Sequence, residues 1–325
     1  ISFWDYWAKL QTAVAGGSGP DLALNDIVTA EGRAKSGSIL NLDPFIERDN
    51  VDKNQYYPEL LERTSYDGSV YGIPFITSAR VLYYNKAAFR EVGLDPEKPP
   101  TNWQELEEYA DKLTKWKNKD MLERIGFSPT LGNFYFWTLA WTNGGDFWDD
   151  EGNPTINRPE NVEALEYMKK LTDKYGHKAL TAFSTQAGSL GYDPFIAGQV
   201  AMEVNTNGLT GEIKKYNPDL EYGVAPIPYS KVHVTWSAGF DLEIVDNKNP
   251  AKAEAAWLLL KWLTGKDSQL RMIQASGELV GNRDAANDPS LMNDPVWVTV
   301  IKEMDVARNY EYIEAAPGWT GVLQP

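Results

Sequence analysis

Short apolar runs with strand character alternate along the chain with segments whose apolar residues recur every three to four positions, the pattern of an α/β fold. Val70–Ile76, Val81–Tyr84, Val200–Asn205 and Leu242–Val245 read as strands, and the chain opens on a strand-like Ile1-Ser-Phe-Trp4 that runs almost directly into a helical stretch, Tyr6–Ala15. Thr101-Asn-Trp-Gln104 predicts a capping box, with Trp103, Leu106, Ala110 and Leu113 on the helix face behind it. Pro159 opens a second helix with a predicted inward stripe of Val162, Leu165, Met168 and Leu171, and Gly176 closes it. Asn249-Pro250 opens a third, with Ala253, Ala256, Trp257, Leu260 and Leu263 inward and Gly265 as its stop.

Length and charge narrow the picture. The 325 residues predict two domains, and 46 acidic against 31 basic residues give a net charge of −15, which argues against nucleic acid, phosphate-rich ligands and anionic membranes. The absence of cysteine removes disulfides, thiolate metal sites and cysteine chemistry. No apolar run reaches the roughly 18 residues of a membrane span, and no signal peptide is read at Ile1, so an exported form is expected to have lost its targeting segment already.

The chain carries no phosphate-binding glycine loop, no Gly-x-Ser-x-Gly and no His-Glu-x-x-His. Of its two histidines, His177 follows a helix-ending glycine and is expected at the surface; His233 falls in a predicted strand, Val232–Trp236, and reads as structural. The acidic loop Gly144–Pro154 fails as a calcium loop, because one beginning at Asp149 would need glycine where Pro154 stands. No cofactor and no metal are expected. Acid pairs suited to glycoside hydrolysis are too numerous among 46 carboxylates to signal anything.

Aromatic content is the anomaly, with 12 Trp, 17 Tyr and 11 Phe. Trp103 and Trp257 lie on apolar helix faces and read as core. Trp4, Trp137, Trp141, Trp236 and Trp319 stand near Gly, Asn or Asp, where a ring can offer a flat face to a neutral sugar whose hydroxyls need Asn, Asp, Arg and Ser at the rim.

A series of motifs then runs in order: Gly16-Gly-Ser-Gly-Pro-Asp-Leu-Ala-Leu24, Gly37-Ser-Ile-Leu-Asn-Leu-Asp-Pro-Phe45, Tyr66-Asp-Gly-Ser-Val-Tyr-Gly-Ile-Pro-Phe75, Val81-Leu-Tyr-Tyr-Asn-Lys86, Gly144-Gly145, Phe195-Ile-Ala-Gly-Gln-Val-Ala-Met202, Trp236-Ser-Ala-Gly-Phe240 and Pro317-Gly-Trp319. In that order the chain resembles the extracellular sugar-binding subunits of ABC importers, the maltose-binding-protein-like family. The resemblance implies a two-lobed α/β periplasmic-binding-protein fold of type II, with a hinge of crossing strands, a ligand cleft between lobes and closure around ligand. The crossings fall near Ser78–Val81, Ser237–Gly239 and Asn287, so residues 1–79 with 239–287 form one lobe, and 80–238 with 288–325 the other.

Carried onto this sequence, Asn25, Asp26 and Ser78 match ligand-hydroxyl positions, Arg80 faces the cleft, Phe134 and Trp137 match an aromatic floor, and Trp319 matches a stacking ring. Trp236, Gly239 and Asp241 accompany the second crossing, with Trp236 and Asp241 as rim contacts, and Trp4 and Asn205 complete the expected site. After Asn205 the family's aromatic is replaced by Thr206-Asn207-Gly208, so a stacking position is either lost or moved to Trp141, a departure from maltose-specific geometry. Two family stretches, one after Trp4 and one after the last residue, are expected to be missing from the sequence as given. The implied function is that of a non-catalytic, monomeric receptor delivering a neutral oligosaccharide to an ABC permease from outside the cytoplasm, free in a periplasm or lipid-anchored. A glycoside hydrolase and a receptor for a non-sugar solute are the alternatives.

Overall fold

The computed structural model describes residues 3–149 and 151–309. In chain order the helices and strands are α1 (Phe3–Ala15), β1 (Leu22–Asp26), α2 (Ala30–Lys35), α3 (Asp43–Arg48), α4 (Pro58–Arg63), β2 (Ser65–Tyr66), β3 (Ser69–Val70), β4 (Gly72–Asn85), α5 (Lys86–Glu91) and α6 (Trp103–Leu113). They continue as β5 (Lys115–Asn118), β6 (Met121–Arg124), α7 (Phe136–Thr142), α8 (Pro159–Asp173), α9 (His177–Gly188), β7 (Met202–Thr206), α10 (Leu209–Tyr216), β8 (Tyr222–Ala225) and β9 (Thr235–Ile244). The last are α11 (Pro250–Thr264), α12 (Lys266–Ser276), β10 (Leu279–Val280), α13 (Arg283–Ala286), α14 (Pro295–Met304) and β11 (Ala307–Arg308).

These elements fall into two compact units, one holding the chain up to Ser78 together with Ser237–Asn293, the other Ala79–Trp236 together with Asp294–Arg308. Strands β4 and β9 each run from one unit into the other.

In the first unit the strand order is β1-β9-β4-β10. β1 and β9 are antiparallel with Leu22 opposite Ile244 and Asn25 opposite Asp241. The alternation of strand side chains then sends Leu22, Leu24, Leu242 and Ile244 into a core built with Ile73, Trp257 and Leu260. It sends Ala23, Asn25, Asp241 and Glu243 to the opposite face. Asn249 caps α11 by accepting from the Ala251 and Lys252 amides, as its Asn-Pro start predicts. Trp257 is 1% exposed and donates its indole N–H to Asp49.

In the second unit the C-terminal part of β4 is flanked by β7 and β8, both antiparallel to it, while β11 pairs in parallel with the start of β9. Here the helix patterns needed correction. Asn102, and not Thr101, is the N-cap of α6; it accepts from the Glu105 amide, and Glu105 reaches back to the Thr101 amide. The inward stripe of α8 is Asn161, Ala164, Met168 and Leu171, leaving Val162 and Leu165 exposed at 45% and 53%. Asn161 turns inward because its amide bonds the backbone carbonyls of Asp146, Thr155 and Ile156, closing the preceding loop.

Phe3 and Trp4 belong to the first turn of α1 and not to a strand. His177 is exposed; α8 ends at Asp173 with Lys174 as its C-cap, and Gly176 (φ +75°), expected to close it, is instead the N-cap of α9, which periodicity alone does not reveal. His233 lies in the loop before β9, stacked on Tyr229 and paired through Nε2 with the buried Glu303.

Candidate functional site

In the first unit, α1, β1 and α2 enclose a cavity of about 610 Å³. One wall is polar: Asn25 and Asp26 at the C-terminal end of β1, then Thr29, Arg33, Ser36 and Ser38; the other is Trp7, Leu10, Gln11, Val14 and Ala15 of α1, closed by Ile39 and Val245. The Gly-Pro-Asp turn starts β1, and Asp26 ends it by accepting from the Val28 amide.

Behind the polar wall Arg33 is clamped. Its Nε and Nη2 donate to the two carboxylate oxygens of Glu243 at 2.7 and 2.5 Å, and the Asn25 amide donates to the same carboxylate at 2.7 Å. A bidentate guanidinium–carboxylate pair of this kind fixes both side chains. Burial pushes the Asp26 carboxyl above its ordinary range, with the Val28 amide and Arg33 opposing. Trp7, half-buried, stacks on Phe240 with ring centroids 5.7 Å apart.

Asp241 is a correction. It is 0% exposed, 4.0 Å from Arg33, and burial followed by the charge of Glu243 pushes its carboxyl well up, so it is an interior acid and not a rim contact. Gly72 lies against it so closely that a Cβ there would meet Asp241 Oδ2 at 1.9 Å. Ser78 donates to the Ala238 carbonyl, and Gly239 permits the close approach of β9 to β4, since a Cβ would stand 2.5 Å from the Ile76 carbonyl oxygen.

The second unit gathers several more of the predicted residues. Arg80 lies flat over the Trp236 ring at 3.5 Å and donates through Nε to Asn133 Oδ1. Trp236 meets Tyr135 and Trp137 edge-on, and those two rings stack at 4.5 Å and 1°. The cluster is largely interior: Arg80 is 4% exposed, Phe134 4%, Trp137 1%, Trp141 3% and Trp236 7%. The flat, open ring faces expected at Trp137, Trp141 and Trp236 are thus not seen; these rings pack against neighbouring side chains, as do Phe134, expected in an aromatic floor, and Arg80, expected to face the cleft. All seven residues of α7 are buried because the helix is apolar on every side, and Arg308 covers the Trp141 ring.

Asn205 belongs to an acid cluster, its amide donating to Glu203 at 2.6 Å and to Asp193 at 3.3 Å. Burial, then the charge of Asp193, pushes the Glu203 carboxyl well up. Two residues after Asn205, Asn207 is 2% exposed, and among the described residues neither atom of its amide has a hydrogen-bond partner. Trp319 and the Trp4 side chain lie outside the described residues.

Trp7, Arg33, Asn133, Tyr135 and Asn207 escaped the sequence reading. A polar-and-aromatic spacing on α1 (Trp7, Gln11) and α2 (Thr29, Arg33, Ser36) was available as a signal, but the partners that give it meaning are distant in sequence.

An α/β chain in two units joined through continuing strands, with a half-polar, half-apolar cavity at the C-terminal end of a strand, has the organisation of a solute-binding protein. The sequence pattern of the family described as bacterial extracellular solute-binding protein matches residues 2–297, and the chain belongs to that family. A putative binding protein of Brucella abortus (strain 2308) is 25% identical over 97% of this chain and 75% of its own length. The structure of CpMnBP1 with mannobiose bound is 30% identical, with a TM-score of 0.82 over 93% of this chain and 77% of that one; a second structure of it holds mannotriose. The sn-glycerol-3-phosphate-binding periplasmic protein UgpB of Shigella dysenteriae is 30% identical over 55% of this chain and 40% of its own length. Another neighbour, an ABC transporter solute-binding protein from Thermotoga lettingae bound with α-D-tagatose, is 28% identical with a TM-score of 0.78 over 94% of this chain and 78% of that one. Among the described residues, no helix is long and apolar enough to cross a membrane.

Proposed function

We propose that this protein is a receptor for a neutral oligosaccharide, which it binds and releases unchanged to an ABC permease. The observation that carries the reading is the cavity of the first unit, where an indole and a row of Asn, Asp, Thr, Arg and Ser side chains face one another. Such a lining suits a sugar, whose C–H face takes the ring and whose hydroxyls take the polar groups. The 30% identity to a protein seen with mannobiose and mannotriose supports the same class. Asn207 in the second unit, buried without partners, is a further group for a ligand hydroxyl, because an unsatisfied buried amide is costly.

A phosphate ligand, as the name of UgpB suggests for that protein, is less well served. Arg33 is committed to Glu243, Arg80 lies over Trp236 and bonds Asn133, and the chain carries a net charge of −15. Hydrolysis is also disfavoured: it takes a pair of carboxylates, and Asp26 is the one acid among the residues that line the cavity, the nearby Asp241 and Glu243 being fully buried. The protein acts outside the cytoplasm, free in a periplasm or anchored by lipid, and as a monomer.

Thermal and calorimetric titration with mannobiose, mannotriose, maltose and sn-glycerol-3-phosphate tests the proposal. Ligand at 100 times its dissociation constant should add about 2.7 kcal/mol to folding stability, and the sugar should be recovered uncut. Stabilisation by glycerol phosphate alone, or cleavage of the sugar, refutes it.

A further inference from the structure

The net charge of −15 is unevenly spread along the chain. Over residues 112–124 its sign reverses, with five Lys and Arg against two acids, and Lys112, Lys115, Lys117 and Lys119 fall within eight residues with no acid between them. The last turn of α6 and the hairpin β5–β6 carry this segment. β6 packs on α9, and its Leu122 and Arg124 turn inward, Arg124 bonding the Leu113 carbonyl and Glu91. Outward stand Trp116, 41% exposed, the tip residue Met121, 44% exposed, and the side chains of Lys112, Lys117 and Lys119. Lys115 is held by Glu91, and Asp120 lies 3.7 Å from Lys178. Lys112, Lys117 and Lys119 pair with no acid among the described residues, and Glu123 is the hairpin's other exposed acid.

Lysines on an edge strand can serve to keep other strands away. A Trp exposed beside them works against that purpose, because it offers apolar surface for association. Trp and Lys together suit a bilayer interface, where the ring sits at headgroup level and the ammonium groups meet lipid phosphates. All three unpaired cations are Lys, flexible point charges that suit a diffuse anionic surface; a shaped carboxylate or phosphate partner calls for the rigid fork of Arg.

We infer that the β5–β6 hairpin docks on an anionic lipid bilayer, with Trp116 and Met121 entering the headgroup layer and Lys112, Lys117 and Lys119 on the lipid phosphates. At physiological salt the screening length is about 8 Å, so the local patch acts in spite of the acidic remainder of the chain. The inference goes beyond the receptor reading and does not depend on which solute is carried.

Co-sedimentation of the full chain with vesicles of phosphatidylglycerol or of phosphatidylcholine provides the test. At about 0.15 M salt the chain should sediment with the first and not with the second, and about 1 M salt should release it. A lysine beside an anionic bilayer is worth about fivefold in binding, so Lys117→Glu combined with Lys119→Glu should weaken it by about 25-fold or more. Trp116→Ser should weaken it several-fold at unchanged charge. Lys98→Glu combined with Lys214→Glu, at exposed sites elsewhere in the second unit, lowers the net charge equally and should weaken it far less. A thermal melt close to wild type checks that each variant is folded. No binding to phosphatidylglycerol, or equal binding to both lipids, overturns the inference. An equal loss in the two Lys pairs overturns it too, by assigning the binding to net charge alone. Equally tight binding of soluble polyglutamate overturns it in favour of an acidic polypeptide. Self-association of the hairpin Lys variant, with no vesicle binding by the wild type, would assign the lysines to shielding a strand edge.

Discussion

Replacing Glu203 by Gln should make the protein progressively more stable than the wild type as pH rises. Glu203 lies on β7 opposite Tyr83, is 1% exposed, and accepts from the Asn205 amide at 2.6 Å. A Cβ on Gly132 would meet its Cγ at 2.5 Å, so the site leaves no room for the side chain to swing out. Burial, then the charge of Asp193, raises its pKa. In the unfolded chain it titrates near the ordinary value of about 4.3. Between that value and its raised native value, the native state holds a proton that the unfolded state has released. The unfolded chain binds fewer protons there, so wild-type stability falls as pH rises, by about 1.4 kcal/mol per pH unit for one group. Gln preserves the acceptor to Asn205 and the shape but has no proton to hold. The stability difference between Glu203→Gln and wild type should therefore grow with that slope from about pH 4 upward, and level off once the native carboxyl ionises. Urea unfolding followed by Trp fluorescence at several pH values measures the difference directly. Parallel curves, with a constant offset across the range, would show that Glu203 titrates normally and refute the buried-acid account.

Three further outcomes are expected. Gly72→Ala should lose several kcal/mol of stability, since its Cβ would stand 1.9 Å from the fully buried Asp241 and the strand would have to move; a thermal melt within a degree or two of wild type contradicts this. Trp257→Ala should cost about 3–5 kcal/mol in denaturant unfolding, because it empties the centre of the first unit's core and leaves Asp49 without its indole donor. Asp26→Asn keeps an N-cap for the turn after β1 but removes the carboxylate acceptor of the cavity, so sugar affinity should fall about tenfold or more with little change in stability; unchanged calorimetric affinity would take Asp26 out of the site.

Much of the fold was legible because its signals are local. The Asn-Pro start of α11 and the apolar spacing behind it predict both its cap and its buried face. The strand β4 was read as two, Val70–Ile76 and Val81–Tyr84, because Thr77, Ser78 and Arg80 interrupt the apolar run. In the structure Thr77 is 1% exposed and Arg80 4%, satisfied by Ser237 and Ala238 in the first case and by Asn133 and the Trp236 ring in the second. A polar residue inside a strand looks like a strand end until its distant partner is known. The same limit hid Arg33, whose partner Glu243 lies 210 residues away. Asn25 and Asp26 could be placed because a Gly-Pro-Asp turn marks where their strand begins. The Trp residues misled for a different reason: neighbouring Gly and Asn suggest an exposed turn, but α7 is apolar all round and buries Trp137 and Trp141 regardless.

The acids beneath the cavity bear on which solute it can hold. Asn25, Asp241 and Glu243 share one face of the β1–β9 pair, with Arg33 above them. Glu243 engages Arg33 through both carboxylate oxygens and so cancels its charge. Burial, then the charge of Glu243, pushes the Asp241 carboxyl toward the neutral form, with Arg33 opposing. The Arg33–Glu243 pair cancels its own charge, and burial disfavours the charged form of Asp241, so the floor is less negative than its acids alone suggest. Were Asp241 ionised, the floor would carry an uncompensated negative charge, and a small organic cation would be the better occupant. Asp26 is the acid that lines the cavity, an acceptor for hydroxyl donors, against a wall of aliphatic side chains and one indole. The Arg33–Glu243–Asn25 clamp also sets that wall before any ligand arrives, so binding need not order it. A neutral sugar fits this charge balance better than a phosphate or a polyamine does.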